Sequence, residues 1–388
     1  MNAKPTSDPI QVLLNERRSL SFPLAWLQRQ MTALPDVGEV APKTGPIRRF
    51  VRDVALLGAF ALSAGVMGSV AQTGGAAVIA IAPGFLFALA AAGRLRKLTV
   101  GHMHELLHGV GFEGWRNMGL PRGHIRALRF TLAETCSVIA LTTPARVYMR
   151  NHGRHHGMRW LGTIFEPDGA ELAYEGFIKG LPLDKFYPQL ASKLFNPLWY
   201  LRLLTTRFKR TMGAKGGTRR VAVGAMWLGL SASAAILPIP VWILAIGLPW
   251  FVLYPAASLL QLITEHPYGD HIGATSLETY AARTWDRIPW EPTPQGSGWV
   301  AWSKWALKLL TYHFPARLAV LDTTMIWHRY HHIAWLIQRP FDDWWAINHE
   351  ALKAWVEGAF PERWEGNTLK GIPEALERQR QHLAERDI

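Results

Sequence analysis

Residues 54–93 read VALLGAFALSAGVMGSVAQTGGAAVIAIAPGFLFALAAAG, a run without a single Asp, Glu, Lys or Arg. A second such run extends from Val221 to Thr264. A membrane-crossing helix needs about 20 apolar residues, so each run is long enough to cross twice if it turns in the middle. The turns are legible: Gln72-Thr-Gly-Gly75 interrupts the first run and Leu237-Pro-Ile-Pro-Val241 the second. The expected spans lie near 54–71, 76–93, 221–238 and 242–263. The predicted fold class is all-α integral membrane, with four transmembrane helices in two hairpins.

The charged residues support this reading from outside the runs. A net charge of +13 and a pI near 10.0 would by themselves permit nucleic-acid binding. All 42 Lys and Arg, however, avoid the two runs: eight precede Val54, 21 lie between the runs and 13 follow. Hairpin topology puts those three segments on one side, which the positive-inside rule assigns to the cytoplasm. Both termini are therefore expected there, and no nucleic-acid partner is expected. Residues 1–50 form a polar, Arg-rich N-terminal segment without the apolar core of a signal peptide. Within it, Phe22-Pro-Leu-Ala-Trp-Leu27 has the character of an interfacial helix. Residues 51–350 make the membrane domain, and 351–388 a polar, helical C-terminal tail on the cytoplasmic side. The single cysteine, Cys136, excludes an intramolecular disulfide and any cysteine-ligated iron–sulfur or zinc cluster.

Three histidine clusters dominate what remains: His104-Glu-Leu-Leu-His108, His152-Gly-Arg-His155-His156 and His328-Arg-Tyr-His331-His332. A looser element, Glu265-His266-Pro-Tyr-Gly-Asp-His271, lies between the last two. Residues i, i+3 and i+4 share one helical face, so each cluster can aim its rings at one point. Neutral imidazole is the commonest metal ligand and suits iron, zinc and copper. One metal needs only three or four such ligands, so this number calls for two. His102 is two positions from His104, about 200° around a helix, and is expected to face elsewhere. Few carboxylates accompany the clusters. Glu105 fits a position behind the ligands and not among them, and Glu265 either orients a ligand imidazole, as carboxylates behind metal-bound histidines do, or caps a helix end.

The order His-x3-His, His-x2-His-His, His-x2-His-His, across two hydrophobic hairpins, resembles the membrane fatty acid desaturase/hydroxylase superfamily over residues 50–335. The resemblance implies four transmembrane helices capped by a cytoplasmic helical domain that carries a non-haem di-iron centre. Matched by position, it implies His104, His108, His152, His155, His156, His328, His331 and His332 as ligands. It also implies one more histidine ahead of the last cluster. His266 at the end of the fourth expected span looks like that residue, with His271 as its competitor or a group behind the ligands. Glu265-His266 is similar to a Glu-His pair of bacterial members, which implies a bacterial inner membrane. Glu166-Pro-Asp168 looks like the family's acidic turn, which puts Asp168 behind the ligands. The first cluster has Glu105 where desaturases usually carry Asp, closer to the alkane-hydroxylase branches. A Trp- and Pro-rich insertion separates His266 from His328. The implied cofactors are two iron ions, with dioxygen as co-substrate. The implied partners are a lipid-like substrate and a separate electron donor (ferredoxin, rubredoxin or cytochrome) with its reductase. The implied activity is desaturation of a fatty-acyl or related chain; the alternative is hydroxylation, or ketone formation, on a lipid, alkane or carotenoid.

Two rival classes share part of this sequence. His104-Glu105-Leu-Leu-His108 matches His-Glu-x-x-His, the zinc and general-base motif of metalloproteases, with Asp168 as a possible third ligand. That reading leaves the second and third clusters without a role. A non-enzymatic haem or metal-transport protein would place histidines or polar groups inside the spans, and both charge-free runs contain no histidine.

Overall fold

Small residues decide how the apolar helices meet. In the computed structural model, which describes residues 8–42, 44–73, 77–108, 115, 118–213, 217–296, 298–334, 344–359 and 367–385, the chain is mostly helical. Three helices are long and apolar enough to cross a membrane: Pro46–Ala71, Ile79–Leu107 and Ile239–Glu265. Pro46–Ala71 packs along Ala77–Arg96 and against the start of Ile239–Glu265. A Cβ on Gly68 would lie 2.7 Å from the carbonyl oxygen of Pro240, and one on Gly93 would lie 1.9 Å from that of Leu318. Glycine is what lets these backbones approach, the usual device of helix packing in lipid. Elsewhere, large apolar side chains point outward: Leu62 is 71% exposed, Ile79 77% and Ile236 79%. Large apolar side chains exposed along such helices need a covering, and a bilayer supplies it.

The rods are longer than the expected spans. Past Gly93 the second helix continues through a π-helical segment, Lys97–Met103, into His104–His108. The first histidine cluster is thus carried on the same rod as the second expected span. A second π-helical segment, Ile243–Leu253, contains Pro249, whose missing N–H removes an ordinary helical bond. The helix holding the third expected span, Gly217–Ile236, falls short of a crossing by the same measure of length and apolarity. Arg219 and Arg220 occupy its first turn, and its uncharged part, 221–236, is shorter than the roughly 20 residues required.

Buried charge ties the rods to the segment that leads to the third cluster. Asp53 is fully buried and meets Arg94 at 3.0 Å, Lys97 at 3.6 Å and His102 at 2.8 Å. Lys97 also reaches Asp322 at 3.6 Å. A buried carboxylate is tolerated only with such partners. His102 is accordingly turned toward Asp53 and away from the other histidines.

The segments outside the long helices enclose one end of them. The helix Pro9–Ser19 is held to the far part of the chain by Glu16, which accepts from Trp290 Nε1 at 3.0 Å. In Phe22–Thr32, Phe22 and Trp26 remain 83% and 56% exposed. The C-terminal helix Gly371–Ala384 packs on Tyr254–Glu265, burying Leu383 and pairing the Gln379 amide with the backbone of Tyr268. A short parallel strand pair, Asp286–Arg287 with Thr368–Leu369, is the one sheet among the described residues. Its Arg287 is buried and donates to the carbonyls of Gln261 and Met325. It so joins the end of the third long helix to the approach of the third cluster.

Gly93→Ala places a methyl group against the Leu318 carbonyl and is expected to destabilise the protein by about 1–3 kcal/mol. Gly58→Ala, with open space around it, is expected to be neutral. Thermal unfolding of the two variants in the same detergent checks the contrast.

Candidate metal centre

The second and third histidine clusters are each split between two groups. His104, His152, His156 and His331 bring one ring nitrogen each within 4.8 Å of one another, and so do His155, His266, His328 and His332. The split follows from helix geometry. Successive residues are about 100° apart, so i and i+4 point nearly together while i+3 lies to their other side. On Ala145–His155 and its cap, His152 and His156 turn to the first group and His155 to the second. On His328–Ile333 the assignment reverses: His328 and His332 serve the second group and His331 the first. The long rod adds His104 to the first group, and the end of the third long helix adds His266 to the second.

In the second group the Nε2 atoms form a closed circuit. The separations are 3.2 Å for His155–His332, 2.9 Å for His332–His328, 3.1 Å for His328–His266 and 3.3 Å for His266–His155. Four nitrogens about 2.0–2.1 Å from one tetrahedral ion would lie about 3.3 Å apart. In the first group His152 and His331 approach His156 Nε2 at 2.9 and 2.8 Å. The His104 ring stands edge-to-face on His152 and His331, with centroids 4.2 and 4.6 Å away. The groups share a wall, since the His156 and His332 rings stack at 4.4 Å.

The outer ring nitrogens fix which nitrogen faces inward. His266 Nδ1 lies 2.6 Å from the carbonyl oxygen of Arg283. A carbonyl only accepts, so Nδ1 carries the proton and Nε2 presents a lone pair to the group. His155 Nδ1 is hydrogen-bonded to Glu166, with Asp168 at 3.6 Å, and His332 Nδ1 lies 3.0 Å from the Tyr280 hydroxyl. Burial, with other imidazoles nearby, holds His266 and His332 well below the ordinary imidazole pKa. Burial also opposes charge on His155, but Glu166 and Asp168 outweigh it and push that ring up to about 9. The carboxylates around the second group thus favour a positive charge there. This tests the fit of a metal: the inward lone pair of His266, the outer partners of His155 and His332, and the carboxylates Glu166, Asp168 and Glu265 around the rings all suit a cation. The donor set, almost entirely imidazole, suits iron, zinc or copper.

The remaining sequence-predicted residues fall outside the two groups. Glu265 is at their edge, with Oε1 2.9 Å from His328 Nε2. Glu105 is buried and accepts from the indole N–H of Trp345. His271 is exposed, its ring 6.4 Å from Phe165, and takes no part in either group. The side chain of His108 lies outside the described residues. Sequence reasoning named Asp168 from the acidic turn, whereas Glu166 makes the close contact with His155. It missed Tyr280 and Arg283 altogether. Both belong to the insertion between His266 and His328, where the helix Leu277–Ala282 folds back over the second group. The length of that insertion was the available signal.

The chain matches no protein-family profile, no curated protein and no solved structure.

His266→Ala is expected to lower the metal bound per chain from about two ions to about one, and His271→Ala to leave it unchanged. Tyr280→Phe, which removes only an outer partner, is expected to weaken metal retention about 10–100-fold without abolishing it. Elemental analysis and chelator competition on the purified variants measure both effects.

Proposed function

We propose that the protein is a membrane-bound di-iron oxidoreductase that uses dioxygen to oxidise a C–H bond of a lipid-like substrate. The observation that carries this reading is the pair of adjoining four-histidine groups, each with room for one ion. Desaturation is the reaction proposed, with hydroxylation as the other outcome of the same first hydrogen removal. Desaturation balances as two hydrogens from the substrate, two electrons and two protons from a donor, and dioxygen reduced to two waters. A pair of irons held by these residues supplies the dioxygen and C–H chemistry. The chain contributes position and a shield from water. Arg283, Tyr280 and Glu166 hold three ligand rings in orientation, and all four histidines of the second group are buried. With one cysteine in the chain, electrons come from a separate carrier, a ferredoxin, rubredoxin or cytochrome, with its reductase.

The four-span arrangement is part of the same proposal. Two hairpins place the N-terminal, central and C-terminal segments, which hold every basic residue, on the cytoplasmic face of a bacterial inner membrane, with the histidine groups at its rim. Gly217–Ile236 crosses as the shortest member, its Arg219 and Arg220 anchored at the interface.

The rivals fit less well. A zinc protease needs Glu105 beside a metal-bound water, but this carboxylate is buried against Trp345. A haem needs space for a planar macrocycle between its axial rings, and centroid separations of 4.2–4.6 Å around His104 leave none.

Elemental analysis of the purified, detergent-solubilised protein is expected to find about two irons per chain. Supplied with a reductant and air, that preparation should convert an acyl-chain substrate to a product absent under nitrogen. One zinc with no iron, after iron supplementation during growth, would refute the assignment.

A further inference from the structure

A cavity of about 320 Å³ reaches both histidine groups, with His104 and His152 of the first and His155 and His328 of the second in its wall. It is not an apolar tunnel. Arg96, at the end of Ala77–Arg96, and Arg207, on Pro197–Gly213, both line it. Arg96 is 6% exposed; its Nη1 donates to Ser258 at 2.9 Å, and its Nε is buried with no hydrogen-bond partner. Both guanidinium groups lie over the ring of Tyr254, at 5.8 Å for Arg96 and 4.7 Å for Arg207.

The charged groups that line this cavity are unevenly paired. Its four carboxylates each have a cationic or imidazole neighbour: Glu171 with Arg210 at 3.6 Å, Glu175 with Lys193 at 3.1 Å, Asp168 with His155 at 3.6 Å and Glu265 with His328 at 2.9 Å. Neither Arg96 nor Arg207 forms an ion pair among the described residues. Two buried or half-buried cations beside one tyrosine, with Glu265 and Glu171 of the same wall acting on them only from beyond ion-pair distance, are costly unless an anion joins them. Arginine's planar fork of donors matches carboxylate and phosphate oxygens.

We propose that Arg96 and Arg207 bind the anionic head, a carboxylate or phosphate, of the substrate. This rests on the reading of the histidine groups as the reaction centre, and it narrows the substrate to an acidic amphiphile. The cavity is at the small end of ligand sites, which run from about 300 to 1,000 Å³. Only the head and the first carbons of a chain therefore sit beside the histidines, and the oxidised carbon lies near the charged end. A more open pocket of about 750 Å³ shares Asn151, Glu171, Glu175, Leu203 and Arg210 with the cavity and opens it toward the surface, with Arg210 beside Glu171 at the join.

Equilibrium binding of radiolabelled octanoate to the full-length protein in lipid nanodiscs tests this, with 1-octanol and octyl phosphate as competitors. Arg207→Gln and Arg96→Gln are each expected to weaken octanoate about tenfold, which corresponds to about 1.4 kcal/mol. In the wild-type protein, 1-octanol should compete at least about tenfold less well than octanoate, because it keeps the chain and loses the charge. Octyl phosphate displacing octanoate at lower concentration, with the same dependence on both arginines, identifies a phosphate head. Equal competition by 1-octanol overturns the proposal, and so does unchanged octanoate affinity in a folded Arg207→Gln. The 1-octanol comparison stands even if Arg96→Gln does not fold. Metal content of the same samples separates the two readings. Arginine-dependent binding to a chain that takes up no metal refutes the reaction centre alone, and arginine-independent binding to a metal-loaded chain refutes the anion site alone.

Discussion

Four buried imidazole nitrogens face one another, and the rings that carry them cannot all satisfy each other. In the second histidine group the Nε2 atoms lie 2.9–3.3 Å apart around their circuit, and at His266 the only ring proton is already committed to a backbone carbonyl on the outside. A neutral imidazole has one N–H, so turning it outward leaves an acceptor pointing in. An inward lone pair of this kind becomes favourable with a cation at the centre of the group. The rest of the structure is organised around holding these rings in place. The folded-back insertion, the acidic turn and the end of the third long helix each supply an outer partner or an edge to this group.

The support for that arrangement is itself charged, and it divides into matched and unmatched parts. Asp53 with Arg94, Lys97 and His102, and Asp286 with Arg329 at 3.1 Å, are buried groups whose partners are present. They lock the rod that carries His104 and the helix that carries His328, His331 and His332. Removing one partner from such a pair leaves an uncompensated buried charge, which is why these contacts act as fixed joints. Arg96 and Arg207 have the same chemistry without the partner. The difference separates residues that hold the site from residues placed to meet something that enters it.

The apolar runs and the histidine spacing were legible because both are local. A charge-free run long enough to cross a bilayer is a property of consecutive residues, and it located three of the helices long and apolar enough to span. Its edges were less legible. The π-helical continuation from Lys97 into the first cluster depends on packing against neighbouring elements, and no local signal announces it. The third expected span differs for another reason: whether 221–236 crosses depends on how Arg219 and Arg220 meet the interface, which composition does not specify.

Sequence alone determined which rings share a helical face, because i, i+3 and i+4 follow from the pitch of the helix. It also determined that their number exceeds what one metal needs. Only the tertiary structure decided how they divide. The same spacing sends His152 and His156 to one group and His155 to the other, then His328 and His332 to the second and His331 to the first. Which way each pair turns is set by the rotation of two short helices against each other. That rotation is held by contacts from outside the two helices, Asp286 on Arg329 and Glu166 on His155 among them. The choice of His266 over His271 has the same origin. Both lie a few residues past the third long helix, and only the path of the backbone there buries one ring and leaves the other exposed.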